Sequence, residues 1–166
     1  CGDGPESVSI GYFRTGCINV NNLELHKDDA GNEKLFRPMF QYELDILLLQ
    51  ETGVNWSVTA KHDQWRERTD KFFEPGQVKS KMSHNLHDIA RAPRQWGGTG
   101  IMSHGKMTHY AMGAGSNPSG LGRWTWTRYR GRGGIILRSV SIYQPCDNKT
   151  GAQSVYSQHR SHLQNQ

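Results

Sequence analysis

The sequence has few cysteines and no long apolar run. Its three cysteines, Cys1, Cys17 and Cys146, do not form the even, regularly spaced set of a disulfide-rich domain, and none has zinc-ribbon spacing. This usage favours a reducing compartment, so we expect an intracellular protein, nuclear or cytoplasmic. No apolar stretch is long enough to cross a bilayer, and no signal peptide is present. We therefore expect no membrane partner, and the sequence does not indicate an oligomeric state.

An excess of acidic residues is also missing. Lys and Arg outnumber Asp and Glu by 20 to 15, which gives a formal net charge of +5 at pH 7. This balance suits a polyanionic partner, nucleic acid first, and it is equally compatible with an ordinary basic soluble protein. With 166 residues and 34% hydrophobic residues, the chain can form one domain with a core.

The two ends of the sequence suggest a piece of a longer protein. The chain begins at Cys1 without an initiator Met, and residues 161–166 have the composition of a helix interior without a cap. We therefore expect residues 1–166 to be a single, partial domain. A processed chain is the alternative.

Residues 44–52, Leu-Asp-Ile-Leu-Leu-Leu-Gln-Glu-Thr, form an apolar run that ends abruptly in polar residues. A continuous Leu and Ile run predicts a strand that is buried on both faces. Glu51 follows at the C-terminal end of this strand, where α/β proteins bind their ligands. We predict that Glu51 is a metal ligand.

A strand at residues 8–20 and a helix within 33–42 precede this run. The apolar residues of 33–42 have helical spacing, and Pro38 fits best in the first turn of the helix. A strand, helix, strand order makes the two strands parallel, so Asn19 and Glu51 should lie at the same edge of a sheet. Asparagines such as Asn21 also suit a loop, because they tolerate left-handed backbone.

The middle of the chain, residues 53–96, alternates basic and aromatic side chains. This pattern suits a nucleic-acid surface, in which cations meet phosphates and rings stack on bases. The alternative is a helix near residues 65–73 with a solvated basic face and buried aromatic rings. His84 and His87 are three residues apart, but no Cys or carboxylate set at matching spacing accompanies them.

The last third of the chain predicts more strands and a final helix. A glycine-rich turn enters the first of these strands, and the last two form an antiparallel hairpin across residues 131–134. The strand segments are 97–103, 107–115, 123–130 and 135–143. A capped helix is predicted from about Gly151. Arg123 and Arg128 are predicted to bind an anionic substrate.

Three segments, in chain order, resemble motifs of the endonuclease/exonuclease/phosphatase superfamily, which has the DNase I-like fold. Residues 18–23, Ile-Asn-Val-Asn-Asn-Leu, are similar to the Trp-Asn-(Val/Ile)-X-Gly-Leu of apurinic-site and retroelement endonucleases. Residues 45–52 are similar to Asp-Ile-(Leu/Ala)-X-Leu-Gln-Glu-Thr. Residues 98–103 are similar to Gly-X-Gly-X-X-(Ser/Thr), and residues 142–145 to the Ala-Tyr-X-Pro that follows it.

The resemblance covers residues 10 to 166, about the first half of the family's domain. It implies an α+β fold that forms part of a four-layer α/β sandwich, with two mixed β-sheets flanked by helices. The C-terminal portion of the domain would be absent. We then expect exposed apolar side chains on the strand at residues 135–142 and on the last helix, where the missing portion would pack.

The resemblance also implies roles for individual residues. Glu51 would bind catalytic Mg²⁺ or Mn²⁺, and Asn21 matches a position that is often Asp and assists the metal. Asn19 would hydrogen-bond the scissile phosphate, and Tyr143 would donate a hydrogen bond to the phosphate. The sequence departs from the family pattern at Ile18, Asn22 and Cys146, where Trp, Gly and Asn are frequent. These departures leave the choice of substrate open.

The implied activity is Mg²⁺-dependent hydrolysis of a phosphodiester bond in nucleic acid, DNA rather than RNA, by the parent protein. The family's later Asp-X-Asn and Asp-His motifs do not occur after Gln153, so the isolated chain is expected to be inactive. One alternative is a phosphoinositide or small-molecule phosphatase of the same fold. Another is a non-catalytic remnant or a nucleic-acid-binding module.

Overall fold

The computed structural model describes residues 12–24, 29–87 and 92–144. The elements in chain order are β1 (Thr15–Asn19), α1 (Asp29–Gln41), β2 (Ile46–Gln50), a 3₁₀ turn (Lys61–Asp63), α2 (Trp65–Thr69), β3 (Val78–Ser83), β4 (Thr99–His104), α3 (Lys106–Tyr110), β5 (Ala111–Ser116), β6 (Trp124–Arg130), a second 3₁₀ turn (Arg132–Gly134) and β7 (Ile136–Ile142). The described strands form two sheets, of four and three strands.

The first sheet has the strand order β1-β2-β4-β3 and is mixed. β1 runs parallel to β2, with Asn19 opposite Gln50, and β4 runs antiparallel to both β2 and β3. Ile46, Leu47 and Leu49 are at most 3% exposed, although they point to both faces of β2. This confirms the predicted strand that is buried on both faces.

Helix α1 connects β1 to β2, which confirms the predicted strand, helix, strand unit. The prediction that Pro38 lies in the first turn is wrong, because the helix begins at Asp29 and Pro38 lies inside it. A proline there removes one helical hydrogen bond. Burial offsets this cost, since Phe36 and Met39 on either side of Pro38 are at most 1% exposed and pack in the core.

Strand β1 is shorter than the predicted strand at residues 8–20. Residues 8–11 lie outside the described part of the chain, and the described residues 12–14 are not in a strand. The backbone N–H of Arg14 donates to the carboxylate of Asp45 at 2.8 Å, so a side chain replaces a strand partner there. Regular pairing therefore begins only at Thr15.

The second sheet has the order β5-β6-β7 and is antiparallel throughout its described strands. The predicted hairpin is confirmed as β6 and β7. The prediction of a strand over residues 107–115 is wrong in its first part, because Lys106–Tyr110 form α3. Met107 and Thr108 are buried, and the Thr108 hydroxyl donates to the carbonyl of Gly105 at 2.8 Å, which stabilises this turn of helix.

The two sheets pack face to face through a partly polar interface. The hydroxyls of Thr99 and Thr125 are 2.7 Å apart, and those of Ser103 and Tyr129 are 2.8 Å apart. All four residues are buried. Buried hydroxyls that are paired in this way fix one relative position of two layers, because a shift would leave them without partners.

Four aromatic residues of the middle segment point inward, whereas Trp96 is 84% exposed. Trp65 and Phe73 are buried, and Trp56 and Phe72 pack against the same core cluster. For the helix near residues 65–73 the structure therefore supports the alternative in its rings, which belong to the core. The basic face is solvated only in part, because Arg68 is 6% exposed. The helix predicted near 65–73 ends at Thr69.

The outer face of β7 carries exposed apolar side chains, as predicted. Ile136, Val140 and Ile142 are 38% to 56% exposed, and the preceding Ile135 is 69% exposed. The helix predicted from Gly151 lies outside the described residues. In the described part of the chain, no helix has the length and hydropathy needed to span a membrane.

Candidate functional site

The parallel pairing of β1 and β2 brings Asn19 and Glu51 together. Asn19 is the last residue of β1, and Glu51 directly follows the end of β2. The amide Nδ2 of Asn19 donates to Oε1 of Glu51 at 2.8 Å, and its Oδ1 accepts from the backbone N–H of Asn21 at 3.0 Å. The Asn19 side chain is therefore held at both ends, and it orients the carboxylate.

The backbone around this pair is unusual. Glu51 has φ +52°, a left-handed conformation that is uncommon for a residue other than glycine or asparagine. Its carbonyl accepts the N–H of Asn22 at 2.8 Å, and that of Thr52 accepts the N–H of Leu23 at 2.8 Å. These bonds hold Glu51 in its strained conformation, and backbone strain of this kind is frequent at functional sites.

Asn21 and Asn22 are also left-handed, with φ +43° and +71°. This confirms that both residues suit a loop. Asn22 stands where the resembled motif has glycine, and asparagine is the residue that best tolerates this backbone after glycine. The departure at Asn22 is therefore conformationally conservative. The Asn21 side chain is exposed beside the pair.

A glycine turn between Trp96 and β4 packs against the segment that follows Glu51. The carbonyl of Gly98 accepts the N–H of Thr52 at 3.2 Å, and that of Gly97 accepts the N–H of Gly53 at 2.7 Å. Both turn glycines have φ +85°, and a Cβ on Gly98 would collide with the Thr52 hydroxyl. The turn therefore needs glycine at both positions.

Two hydrogen bonds between the sheets hold the end of β7, and with it Tyr143, at the same edge. Gln50 Nε2 donates to the carbonyl of Ile142 at 2.9 Å, and Ser141 Oγ donates to the carbonyl of Leu49 at 2.7 Å. Glu51 directly follows Gln50, and Tyr143 directly follows Ile142. The structure thus places Asn19, Glu51 and Tyr143, the three predicted catalytic residues, at one edge.

Gln50 and Ser141 join the two sheets at this edge, and sequence reasoning missed both. Gln50 belongs to the Gln-Glu-Thr motif, so the motif itself was a signal. Ser141 gave no signal beyond its place in a strand. Each of the two hydrogen bonds joins residues that are 92 positions apart in the sequence.

The two predicted substrate-binding arginines lie in different places. Arg123 is 2% exposed, and its guanidinium carbon lies 5.2 Å from the ring centroid of Tyr143. Arg128 lies further along β6, opposite Arg138. It is four residues from Trp124 at the start of the strand, a distance of about 13 Å. Arg123 therefore lies beneath the site, and Arg128 is on the strand leading away from it.

Burial perturbs two ionisable groups near this edge. Burial lowers the pKa of the Arg123 guanidinium, and the nearby Tyr143 partly offsets this effect. Burial also lowers the pKa of His84, which follows β3. His87 Nε2 lies 2.7 Å from the carbonyl of Ser119, so this ring holds a loop. Within residues 12–24, 29–87 and 92–144, no group of three or more His, Cys, Asp or Glu side chains could hold a metal ion.

The donor set at the edge fits a hard cation that needs few protein ligands. Glu51 is partly exposed, and its carboxylate accepts one hydrogen bond, from Asn19. Mg²⁺ is commonly held by one or two carboxylates together with water and substrate phosphate oxygens. One carboxylate therefore suffices to begin such a site, and the remaining positions would be filled by water, phosphate or other groups.

The comparisons with known proteins show the fold. No family model matches the chain, and no curated protein matches its sequence. A structure of the 3′ phosphatase NExo from Neisseria, bound to a product DNA hairpin, matches with a TM-score of 0.57 and 14% identity. The match covers 91% of this chain and 48% of that chain, so this chain spans about half the length of NExo. The predicted α+β, DNase I-like fold is therefore confirmed.

Proposed function

We propose that the parent protein hydrolyses phosphodiester bonds of nucleic acid with the help of Mg²⁺, and that this chain supplies part of the site. The observation that carries the proposal is the Asn19–Glu51 pair at the ends of two parallel strands, next to the end of β7, which Tyr143 directly follows. The fold shared with a DNA 3′ phosphatase supports it.

Each residue at the edge would have a separate task. Glu51 would hold the cation, and Asn19 would keep the carboxylate oriented and present an amide to the phosphate. Tyr143 would donate its phenolic proton to a non-bridging phosphate oxygen as negative charge develops there. Asn21, exposed beside the pair, would provide an amide oxygen to the cation. When bound, Mg²⁺ would supply Lewis-acid stabilisation of the phosphate.

The charge of the chain favours nucleic acid as the partner. Between Asp88 and Asp147 the sequence contains eight Lys and Arg residues and no Asp or Glu. This stretch includes the glycine turn and the whole second sheet. A cationic region next to the Glu51 edge would attract a phosphate backbone. We propose DNA as the substrate, since NExo was solved with a DNA hairpin, and an intracellular site of action.

Hydrolysis of a terminal phosphate is the second candidate function. NExo is a 3′ phosphatase, and its structure contains a product DNA hairpin. The same carboxylate, amide and phenol groups would serve a monoester at a DNA end. The two reactions differ in whether the attacked phosphate links two nucleosides.

The test uses the parent protein with three substrates. These are supercoiled plasmid DNA, a duplex with a 3′ phosphate, and a soluble inositol phosphate, each with Mg²⁺ or with EDTA. We expect Mg²⁺-dependent nicking of the plasmid. Release of inorganic phosphate from the duplex alone would select the second candidate, and turnover of the inositol phosphate alone would contradict both. The isolated 166-residue chain is expected to be inactive on all three.

A further inference from the structure

We propose that Arg123 is a positioning residue, whose buried guanidinium holds the Tyr143 ring at the edge where Glu51 lies. The proposal rests on the proposed function, in which Tyr143 donates to phosphate. This role differs from the direct substrate binding predicted for Arg123 from the sequence. A side chain that is 2% exposed acts on a substrate through a neighbour and not by direct contact.

Arg123 contacts Tyr143 through both its backbone and its side chain. The carbonyl of Arg123 accepts the N–H of Tyr143 at 2.8 Å, and the guanidinium carbon lies 5.2 Å from the ring centroid. A cation over an aromatic face within about 6 Å is attracted by the ring, most strongly where water is excluded. The backbone bond fixes where Tyr143 begins, and the guanidinium fixes where its ring lies.

Gly97 leaves the space that this arrangement needs. A Cβ at position 97 would collide with Nη1 of Arg123 and lie 3.3 Å from Cδ1 of Tyr143. Gly97 also accepts the N–H of Gly53, two residues after Glu51. The glycine turn thus contacts the Arg123–Tyr143 pair on one side and the Glu51 segment on the other.

Packing alone does not explain a buried arginine beneath the Tyr143 ring. Desolvation of a guanidinium is unfavourable, and an apolar side chain of similar size generally packs at least as well. A buried positive charge behind the ring adds something that an apolar side chain does not. It makes the phenol a stronger donor to an anion, and it raises the local potential for phosphate.

The kinetic test compares Arg123→Met and Arg123→Lys with a control, Arg37→Met, in the parent protein. Arg37 is an exposed arginine of α1 that pairs with Glu33 and has no place in the proposed site. We expect Arg123→Met to lower kcat about tenfold to a hundredfold with KM nearly unchanged, and Arg123→Lys to recover part of the loss. Arg37→Met should leave kcat within about twofold. An equal effect of Arg123→Met and Arg37→Met would overturn the proposal.

A double-mutant cycle separates positioning from simple structural support. Tyr143→Phe should lower kcat by a similar factor, and the Arg123→Met/Tyr143→Phe double variant should be no slower than Tyr143→Phe alone. Fully additive losses would show that Arg123 acts independently of Tyr143 and would reject the inference. If Arg123→Met does not fold, the same cycle is measured with Arg123→Lys.

A spectroscopic readout on the 166-residue chain distinguishes failure of this inference from failure of the proposed function. Tyrosine ring resonances are recorded by NMR on ring-labelled protein, with Tyr143→Phe to assign the Tyr143 signal. We expect Arg123→Lys and Gly97→Ala to move that signal and Arg37→Met to leave it in place. If the signal moves but no parent protein shows Mg²⁺-dependent cleavage, the contact stands and the proposed function fails. If cleavage occurs and the signal does not respond, the positioning inference alone fails.

Discussion

Two carboxylates flank strand β2, and their surroundings are opposite. Asp45, before Ile46, is largely buried; its Oδ2 accepts the backbone N–H of Arg14 at 2.8 Å and its Oδ1 lies 3.6 Å from the ammonium of Lys106. Glu51, after Gln50, accepts one amide hydrogen bond from Asn19. No ion pair of Glu51 occurs within the described ranges 12–24, 29–87 and 92–144.

The difference separates a structural carboxylate from one that can bind a ligand. The charge of Asp45 is compensated by the fold and joins the start of β2 to Arg14 and α3. Glu51 keeps ligand capacity, and the molecule holds it in a left-handed conformation that no helix end requires. Such a carboxylate contributes little to folding, so a functional role is the physical reason we infer for its position.

The largest expected effect is the loss of activity in the Glu51→Gln parent protein. The amide keeps the shape of the side chain and can no longer hold Mg²⁺ by charge, so we expect kcat/KM to fall about a hundredfold or more. Asp45→Asn is the matched control at the other end of β2 and should retain activity per folded molecule. Nicking rates of the purified variants measure this contrast. Equal losses of activity in Glu51→Gln and Asp45→Asn would contradict the assignment of separate roles to the two ends of β2.

Asn19→Ala should have the next largest effect. The Asn19 amide orients Glu51, and loss of a residue that orients a metal ligand typically weakens metal affinity about tenfold to a hundredfold. The concentration of Mg²⁺ needed for half-maximal cleavage should therefore rise. Asn22→Gly, which suits the left-handed backbone at Asn22, serves as the control and should leave this concentration unchanged. An unaltered Mg²⁺ requirement in Asn19→Ala would contradict the proposed role of the amide.

The free energy of unfolding should respond more to Asp45→Asn than to Glu51→Gln, the reverse of the order expected for activity. Asp45→Asn keeps an oxygen that accepts the N–H of Arg14 but removes the negative charge from this hydrogen bond and from the ion pair with Lys106. We therefore expect the free energy of unfolding to fall by about 1–2 kcal/mol. Glu51→Gln should change it by less than about 0.5 kcal/mol. Urea denaturation of the 166-residue chain measures both. A larger loss in Glu51→Gln would make Glu51 the structural carboxylate.

The smallest expected effect concerns His84, which follows β3 at the Glu51 end of the sheet. Burial lowers the pKa of His84 below its ordinary value of 6.5, so the unfolded chain binds this proton more readily than the folded chain. The neutral ring's contribution to stability is complete above pH 6.5 and is lost as the pH falls below it. His84→Gln should therefore flatten the decline in unfolding free energy between about pH 7 and pH 5. An unchanged slope in urea titrations would contradict this assignment.

The parts of this fold that depend on local pattern were predictable from the sequence. The apolar run before Glu51 indicated a doubly buried strand, and the strand, helix, strand order indicated that Asn19 and Glu51 share an edge. Turn chemistry and β-branched residues indicated the β6–β7 hairpin. In each case the information lies within a few tens of residues, and burial or chain connectivity leaves few alternatives.

The incorrect or missing predictions depend on contacts between distant residues. Pro38 lies inside α1 because Phe36 and Met39 are buried on a sheet whose position local spacing does not reveal. The bond from Gln50 to Ile142 and the burial of Arg123 under Tyr143 likewise need the second sheet in place. An arginine in a strand rich in basic residues indicates a surface cation, and only tertiary packing shows otherwise.

The most direct test of the central claim is a titration of the 166-residue chain with Mn²⁺, followed by paramagnetic broadening of its backbone NMR signals. This measurement detects weak binding and does not require catalysis. We expect broadening centred on Asn19, Glu51 and Thr52, retained in Asp45→Asn and abolished in Glu51→Gln. Broadening that centres on Asp45, or that persists unchanged in Glu51→Gln, would contradict the assignment of Glu51 as the cation ligand.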